Sequence, residues 1–302
     1  MRLELVEVGP RDGLQNEDRT LSPKTRAELC ERLAAAGVSR VEAASFVNPK
    51  RVPQMYGAEE VLSGIDRPAS PDTKFAGLVL NEKGYERALA AGVDEVRYAF
   101  PMTDTFARRN QNTTAEEGAA LAARLTERAR NDGVRVSVTL SAAFGCPFEG
   151  RVSARTVLDL AGKVLYSRPD ELVLADTIGV GVPSQVRELI GELAGESGEG
   201  VDLGCHFHDT RNTGLANALA AVESGATVLD AAVGGTGGCP FAPQATGNIA
   251  TEDLVYLLAG MGYETGVELE ALIECARWLS EQLGKELPGR VHRAGDFEPV
   301  AG

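Results

Sequence analysis

Ala36-Gly37-Val38 leads into Val41-Glu42, Ala91-Gly92-Val93 leads into Val96-Arg97, and Gly133-Val134 leads into Val136. One junction, a glycine followed by a valine-rich run, therefore recurs along the chain. Glycine suits this point because it can take the left-handed conformation that stops a helix, and Gly225 marks a further such stop. Working outward, strand-like runs fall at 3–9, 40–46, 74–80, 95–100, 135–141, 171–177, 202–209 and 228–234. They read as near-continuous apolar stretches, as expected of parallel strands covered on both faces. Helical patterns lie between them. Residues 115–131 set Leu121, Leu125 and Ala129 on one face behind the capping pair Thr114 and Glu117, and 212–224 set Leu215, Leu219 and Val222 in register. Repeated β/α units over about 250 residues predict an α/β protein of the (β/α)8 TIM-barrel class. Further helices are expected at 251–259 and 267–283, then an irregular tail over 288–302. An open doubly wound sheet is the competing arrangement, but no G-x-G-x-x-G follows an early strand. No low-complexity linker interrupts residues 1–302, which are taken as one domain.

The chain has 302 residues, 43% hydrophobic and 25% charged, enough to bury a sizeable core. Its net charge of −14, from 30 basic and 44 acidic residues without a basic stripe, argues against a nucleic-acid partner. No apolar run approaches the roughly 18 residues of a membrane span. Met1-Arg2 passes straight into a strand pattern, so no leader segment is expected. Five cysteines without paired spacing fit a reduced, cytoplasmic setting.

In such a barrel the chemistry sits at the C-terminal ends of the strands. Strand 1 ends in Gly9-Pro10-Arg11-Asp12-Gly13-Leu14-Gln15. Strand 2 carries Glu42 in an apolar run, where a carboxylate is costly unless paired, so Arg11 is its expected partner. A surface ion pair is the plain alternative for Arg11 beside Asp12. Strand 6 ends in Asp176-Thr177-Ile178-Gly179. Strand 7 carries Cys205-His206-Phe207-His208-Asp209, and residues two apart on a strand share a face. One histidine in a strand is ordinarily a satisfied core residue. Two of the chain's three in this register point to a metal. After strand 8, Gly237-Gly238-Cys239-Pro240-Phe241 and Gly247-Asn248 add a thiol and a side-chain amide.

Asp12, His206, His208 and Asn248 form a nitrogen and oxygen donor set without thiolate. Such a set suits octahedral Mn2+, Mg2+ or Co2+, with about two positions left for substrate oxygens. An ion there would stabilise negative charge on oxygen as a C–C bond breaks, in a retro-aldol or retro-Claisen cleavage. Arg11 would stabilise an enolate oxygen, and Cys239 would return a proton to its carbon. The catalytic set is then Arg11, Asp12, Glu42, His206 and Cys239. Cys146, in Gly145-Cys146-Pro147-Phe148, is a rival thiol at the same rim. Cys30 and Cys275 lie in helix patterns as small buried hydrophobes. Cys205 should face the helices, away from His206.

These residues resemble the 3-hydroxy-3-methylglutaryl-CoA lyases, within the DRE-TIM metallolyases. The resemblance runs from Val6-Glu7-Val8-Gly9-Pro10-Arg11-Asp12-Gly13-Leu14-Gln15 through Ser45-Phe46-Val47-Asn48-Pro49-Lys50, Asp176-Thr177-Ile178-Gly179 and His206-Phe207-His208-Asp209-Thr210 to Gly247-Asn248-Ile249-Ala250-Thr251-Glu252. It implies a TIM barrel that splits a 3-hydroxyacyl-CoA into a keto acid and acetyl-CoA, with a divalent ion, Mg2+ or Mn2+, on Asp12, His206, His208 and Asn248. It places the enolate-stabilising arginine at Arg11, the buried glutamate at Glu42 and the active-site cysteine at Cys239. Gln15, Ser45, Asp176 and Arg211 are the expected substrate contacts. The chain departs from the best-known lyases in reading Thr210-Arg211-Asn212-Thr213 after the histidine pair. The implied substrate is 3-hydroxy-3-methylglutaryl-CoA, with citramalyl-CoA, which yields pyruvate, as the alternative and a Claisen-type synthase or aldolase behind both. Lys50, Arg51, Arg108 and Arg109 are candidates for the CoA phosphates, although a solvated surface face is the plainer reading of each. A homodimer is expected from the resemblance and from the frequency of two-fold pairs.

Overall fold

The computed structural model describes residues 1–198, 200–238 and 247–297. Strands β1 (Glu4–Glu7), β2 (Arg40–Ser45), β3 (Lys74–Val79), β4 (Glu95–Pro101), β5 (Arg135–Ser141), β6 (Glu171–Asp176), β7 (Asp202–Phe207) and β8 (Val228–Ala231) run parallel. They close into a barrel in chain order, with β8 returning to β1. This is the expected (β/α)8 TIM barrel, wrapped by helices such as Ala115–Asp132, Pro183–Glu196 and Leu269–Leu283. The junction glycines behave as read: Gly37, Gly92, Gly133 and Gly225 take φ of 88°, 74°, 70° and 111°. Thr114 and Glu117 form the capping box. Among the described residues no helix is long and apolar enough to cross a membrane.

The strands differ from the expectation of two apolar faces. Val41, Val96, Leu172 and Leu229 belong to the core between barrel and helices. Their neighbours Arg40, Arg97, Glu171 and Asp230 bond to one another's strands across the barrel interior. Arg40 bonds Glu171 and Glu95 at 2.6 Å each and Glu4 at 3.0 Å. Ser137 donates to the other Glu171 oxygen at 2.8 Å. Removing one member of such a buried pair typically costs about 3–5 kcal/mol, because the other charge is stranded. The barrel is therefore plugged from below by a paired ionic layer, and its open space lies toward the C-terminal ends of the strands.

Six of the eight strands end earlier than the sequence suggests, and at β1 and β8 the shortfall shapes the site. β1 stops at Glu7, and Gly9–Gly13 forms one wide helical turn instead. The Val8 carbonyl accepts from Asp12 N at 2.7 Å and from Arg11 N and Gly13 N at 3.2 Å each. β8 stops at Ala231, and the chain turns through Gly234 and Gly235 at φ of 70° and 68°. The end of the described chain is also more ordered than an irregular tail. Val291–Ala294 is a helical turn, His292 Nδ1 lies 3.1 Å from Glu252 Oε1, and Gly289 N donates to Gly234 O at 2.9 Å. Glu252 Oε2 accepts from Gly234 N at 2.9 Å, so the C-terminal segment pins the turn after β8.

Candidate active site

The turn after β1 carries Arg11 and Asp12 into the barrel mouth. Arg11 Nε donates to Glu42 Oε2 at 2.8 Å, and its Nη1 donates to Asp12 Oδ1 at 2.6 Å. Glu42 sits where β2 slips register between Glu42 and Ala44, an irregularity that re-aims a side chain. The Arg11–Glu42 pairing expected from burial cost is thus present. Burial works to raise the Asp12 pKa, but the Arg11 guanidinium and the two imidazoles hold it well below the usual carboxylate range.

His206 and His208 present their rings side by side, with centroids 5.1 Å apart. Their Nε2 atoms lie 3.9 and 3.7 Å from Asp12 Oδ2. Donors sharing one ion at bonds of about 2.0–2.3 Å must lie within about 4.5 Å of one another, and these do. Among the described residues Asp12, His206 and His208 form the cluster able to hold a metal. Asn248 joins them through backbone pairing beside His208. Its Nδ2 donates to Asp12 Oδ2 and to Thr236 O at 3.0 Å each. Its Oδ1 is buried and accepts no hydrogen bond among the described residues, the condition of an oxygen that a cation would satisfy. Gly237, at φ 123°, closes this corner: a Cβ there would come within 2.7 Å of Asn248 Nδ2. The donors present fit a divalent ion.

Two groups absent from the sequence-based set complete the site. Asp230 Oδ2 lies 3.2 Å from His206 Nδ1, and Arg97 holds the same carboxylate at 2.9 and 3.0 Å. Burial tends to raise the Asp230 pKa, but Arg97 and His206 outweigh it and lower the value. An ionised Asp230 puts the His206 proton on Nδ1 and leaves Nε2 as a free lone pair. Burial tends to lower the His206 pKa, yet Asp230 and Asp12 raise it overall. The reasoning that drew attention to Glu42, a charge in an apolar strand, applies equally to Arg97 and Asp230.

A cavity of about 700 Å³ opens above this cluster, and Gln15 and Arg51 line it as expected. Three of the expected substrate contacts are elsewhere. Asp176 is buried and accepts from Val180 N at 3.0 Å and Gly181 N at 2.8 Å, shaping the turn after β6. Burial raises its pKa against those bonds. Arg211 spends Nη1 on the carbonyls of Ile178 and Gly179 at 3.1 and 2.8 Å. Ser45 is buried off the cavity. Cys146 is no rival thiol, because its Sγ accepts from Thr103 at 3.0 Å inside a cluster with Phe106 and Ala142. Of the other phosphate candidates, Arg109 stacks on Phe148 at 4.2 Å and Arg108 lies 3.8 Å from Asp104. Cys205 is fully buried in the core outside the barrel, as read. Cys239 lies outside the described residues.

With two imidazoles, a carboxylate and an arginine at the mouth of a parallel barrel, the protein is a carbon–carbon lyase, the class named for its relatives. The chain is a member of the HMGL-like family, whose pattern matches residues 2–279. It is 45% identical to the (R)-citramalyl-CoA lyase of Chloroflexus aurantiacus over 98% of this chain and 95% of that one. It is 40% identical to the mitochondrial hydroxymethylglutaryl-CoA lyase of Rattus norvegicus, over 97% and 89%. Among solved structures, an HMG-CoA lyase from Acinetobacter baumannii in complex with coenzyme A and 3-methylmalate superposes with a TM-score of 0.92 at 38% identity, covering 99% of this chain and 98% of that one.

Proposed function

We propose that the protein cleaves 3-hydroxy-3-methylglutaryl-CoA to acetoacetate and acetyl-CoA, using Mg2+ or Mn2+ held by Asp12, His206, His208 and Asn248. The observation that carries this reading is the convergence of Asp12 and both histidine Nε2 atoms beside the Arg11 guanidinium. The bound ion supplies Lewis-acid charge to the substrate oxygens. Cleavage breaks the bond between the carbinol carbon and the acetyl carbon, and the electron pair passes toward the thioester oxygen. Arg11, locked between Glu42 and Asp12, offers N–H groups where that enolate charge develops. The hydroxyl proton passes to water in the cavity and one proton reaches the acetyl carbon; Cys239 is the proposed donor to carbon. Gln15 and Arg51 are proposed to meet the substrate in the cavity that they line. The enzyme is proposed to act as a homodimer in the cytoplasm.

A second reading, cleavage of citramalyl-CoA to pyruvate and acetyl-CoA, is favoured by the 45% identity to a lyase of that name. One experiment separates the two. Protein stripped with chelator receives Mn2+ or Mg2+ and each thioester in turn, and the keto acid is identified by mass spectrometry. Metal-dependent acetoacetate from the first substrate supports the main reading. Pyruvate from the second alone moves the enzyme to the citramalyl branch. Turnover of neither thioester in the presence of metal overturns both.

A further inference from the structure

The deep wall of the cavity holds an unused cationic donor. Arg97 leaves β4, is 3% exposed, and crosses the barrel to Asp230 on β8. Both of its bonds to Asp230 use Nη2, at 3.0 and 2.9 Å. Nη1 is buried and has no hydrogen-bond partner among the described residues, although Arg97 lines the cavity. An unpaired buried N–H on a charged group is costly, and the ion pairs of Arg97 with Asp230, Glu171 and Glu95 run through Nη2 and Nε, leaving Nη1 unused. Glu42 Oε1, His208 Nδ1 and Asn248 Oδ1 share this unsatisfied state. Four of the nine such atoms among the described residues, Arg97 Nη1 included, thus belong to residues of this one site, where a ligand could complete the bonding.

We propose that Arg97 receives the free carboxylate of the hydroxyacyl group, the end that departs as the keto acid. This deepens the lyase reading and rests on it. The planar guanidinium can serve two carboxylates at once, Asp230 on one prong and the substrate on the other. Thr139 on β5 lines the same cavity, and its strand neighbour in register is Ala99, two residues beyond Arg97. A thioester without the acid end would leave Nη1 unpaired, and a site built for hydrogen bonds rejects such analogues strongly.

The test is direct binding to Mn2+-loaded protein by calorimetry, without turnover. The probes are 3-hydroxy-3-methylglutarate and citramalate, against 3-hydroxy-3-methylbutyrate, which lacks the second carboxylate. The wild type should prefer the diacids by about tenfold or more, the scale of a charge-assisted bond. Arg97→Lys keeps a cation on Asp230 and should lose most of that preference, with Mn2+ affinity held within about twofold. If Arg97→Lys does not fold, Asp230→Asn is compared with the double variant Arg97→Met/Asp230→Asn, which removes both charges of the pair. Preference kept in the first and lost in the second supports the proposal. Preference kept in Arg97→Lys and in the double variant overturns it. Preference lost already in Asp230→Asn at saturating Mn2+ also overturns it, because Arg97 would then act only through His206. Loss of diacid preference in a protein that cleaves no acyl-CoA would leave the carboxylate site standing and remove the lyase reading.

Discussion

Asp230 Oδ2 stands 3.2 Å from His206 Nδ1, on the side of the ring opposite the nitrogen that faces Asp12. The carboxylate fixes both the tautomer and the ring plane of a proposed metal ligand, while Arg97 keeps the carboxylate charged. Asp230→Asn should therefore weaken Mn2+ binding by about 10–100-fold, the usual cost of losing such a support. Titration of apo protein with Mn2+, followed by the free-ion electron paramagnetic resonance signal, measures it. Unchanged affinity would mean that His206 is oriented by its strand alone.

Arg11 depends on Glu42 in a similar way. Glu42 is 1% exposed and takes both Nε and Nη2 of the guanidinium, at 2.8 and 2.7 Å. Arg11→Met removes the charge proposed to meet the enolate and should cut kcat by about 10²–10³-fold. Glu42→Gln keeps shape but releases the guanidinium, and a displacement of 1 Å near reacting atoms can cost about 10²-fold. Glu42→Gln should retain metal affinity, since Glu42 touches no member of the donor set; Arg11→Met also removes a hydrogen bond to the proposed ligand Asp12, so its loss of metal affinity should stay well below its loss of turnover. A loss of metal binding equal to the loss of turnover would assign both residues to the metal site instead.

The parts of this site legible in the sequence are those set by local geometry or by burial cost. His206 and His208 share a face because strand periodicity puts them there, and Arg11 meets Glu42 because a lone carboxylate in β2 demands a partner. The barrel itself was readable from glycines whose positive φ ends one helix after another. Asp230 and Arg97 escaped because their pairing spans 133 residues of sequence and two opposite walls of the barrel. Reading β4 and β8 as apolar hid the inward alternation. Proximity to strand ends points Asp176 and Arg211 at the cavity, yet turn backbone captures both side chains. Sequence gives the neighbourhood of a side chain after a strand, not which competing N–H or C=O groups will hold it.

His292 closes the described chain onto the turn that precedes Asn248. It is 5% exposed, and its Nδ1 meets Glu252 Oε1 while the other Glu252 oxygen holds Gly234 N. His292→Ala should strand one carboxylate oxygen and lower stability by about 1–3 kcal/mol. Urea unfolding at fixed pH reads this. A change within about 0.5 kcal/mol, the range of ordinary surface substitutions, would show that the segment merely rests on the barrel.

Glu7 gives the fold a pH dependence whose sign can be worked out. It is fully buried at the end of β1, with Oε1 accepting from Gly9 N at 2.7 Å and Val233 N at 3.0 Å, and Oε2 meeting Thr251 Oγ1 at 2.6 Å. Burial pushes its pKa up to about 8 from 4.5, beyond what Thr251, Val233 and Gly9 pull back, and neighbouring Glu252 adds to the rise. Between those two values the folded chain keeps a proton that the unfolded chain has released. The folded state binds more protons there, so stability falls as pH rises through the window. The slope is on the order of 1 kcal/mol per pH unit at its steepest. Glu7→Gln keeps an oxygen for both backbone N–H groups and an N–H for Thr251, with no proton to lose. The variant should fold, and its stability relative to wild type should grow from pH 5.5 to pH 8. Urea titrations at several pH values test this. Parallel stability curves for the two proteins would show that Glu7 is already ionised in the folded state, held by its three donors despite its burial.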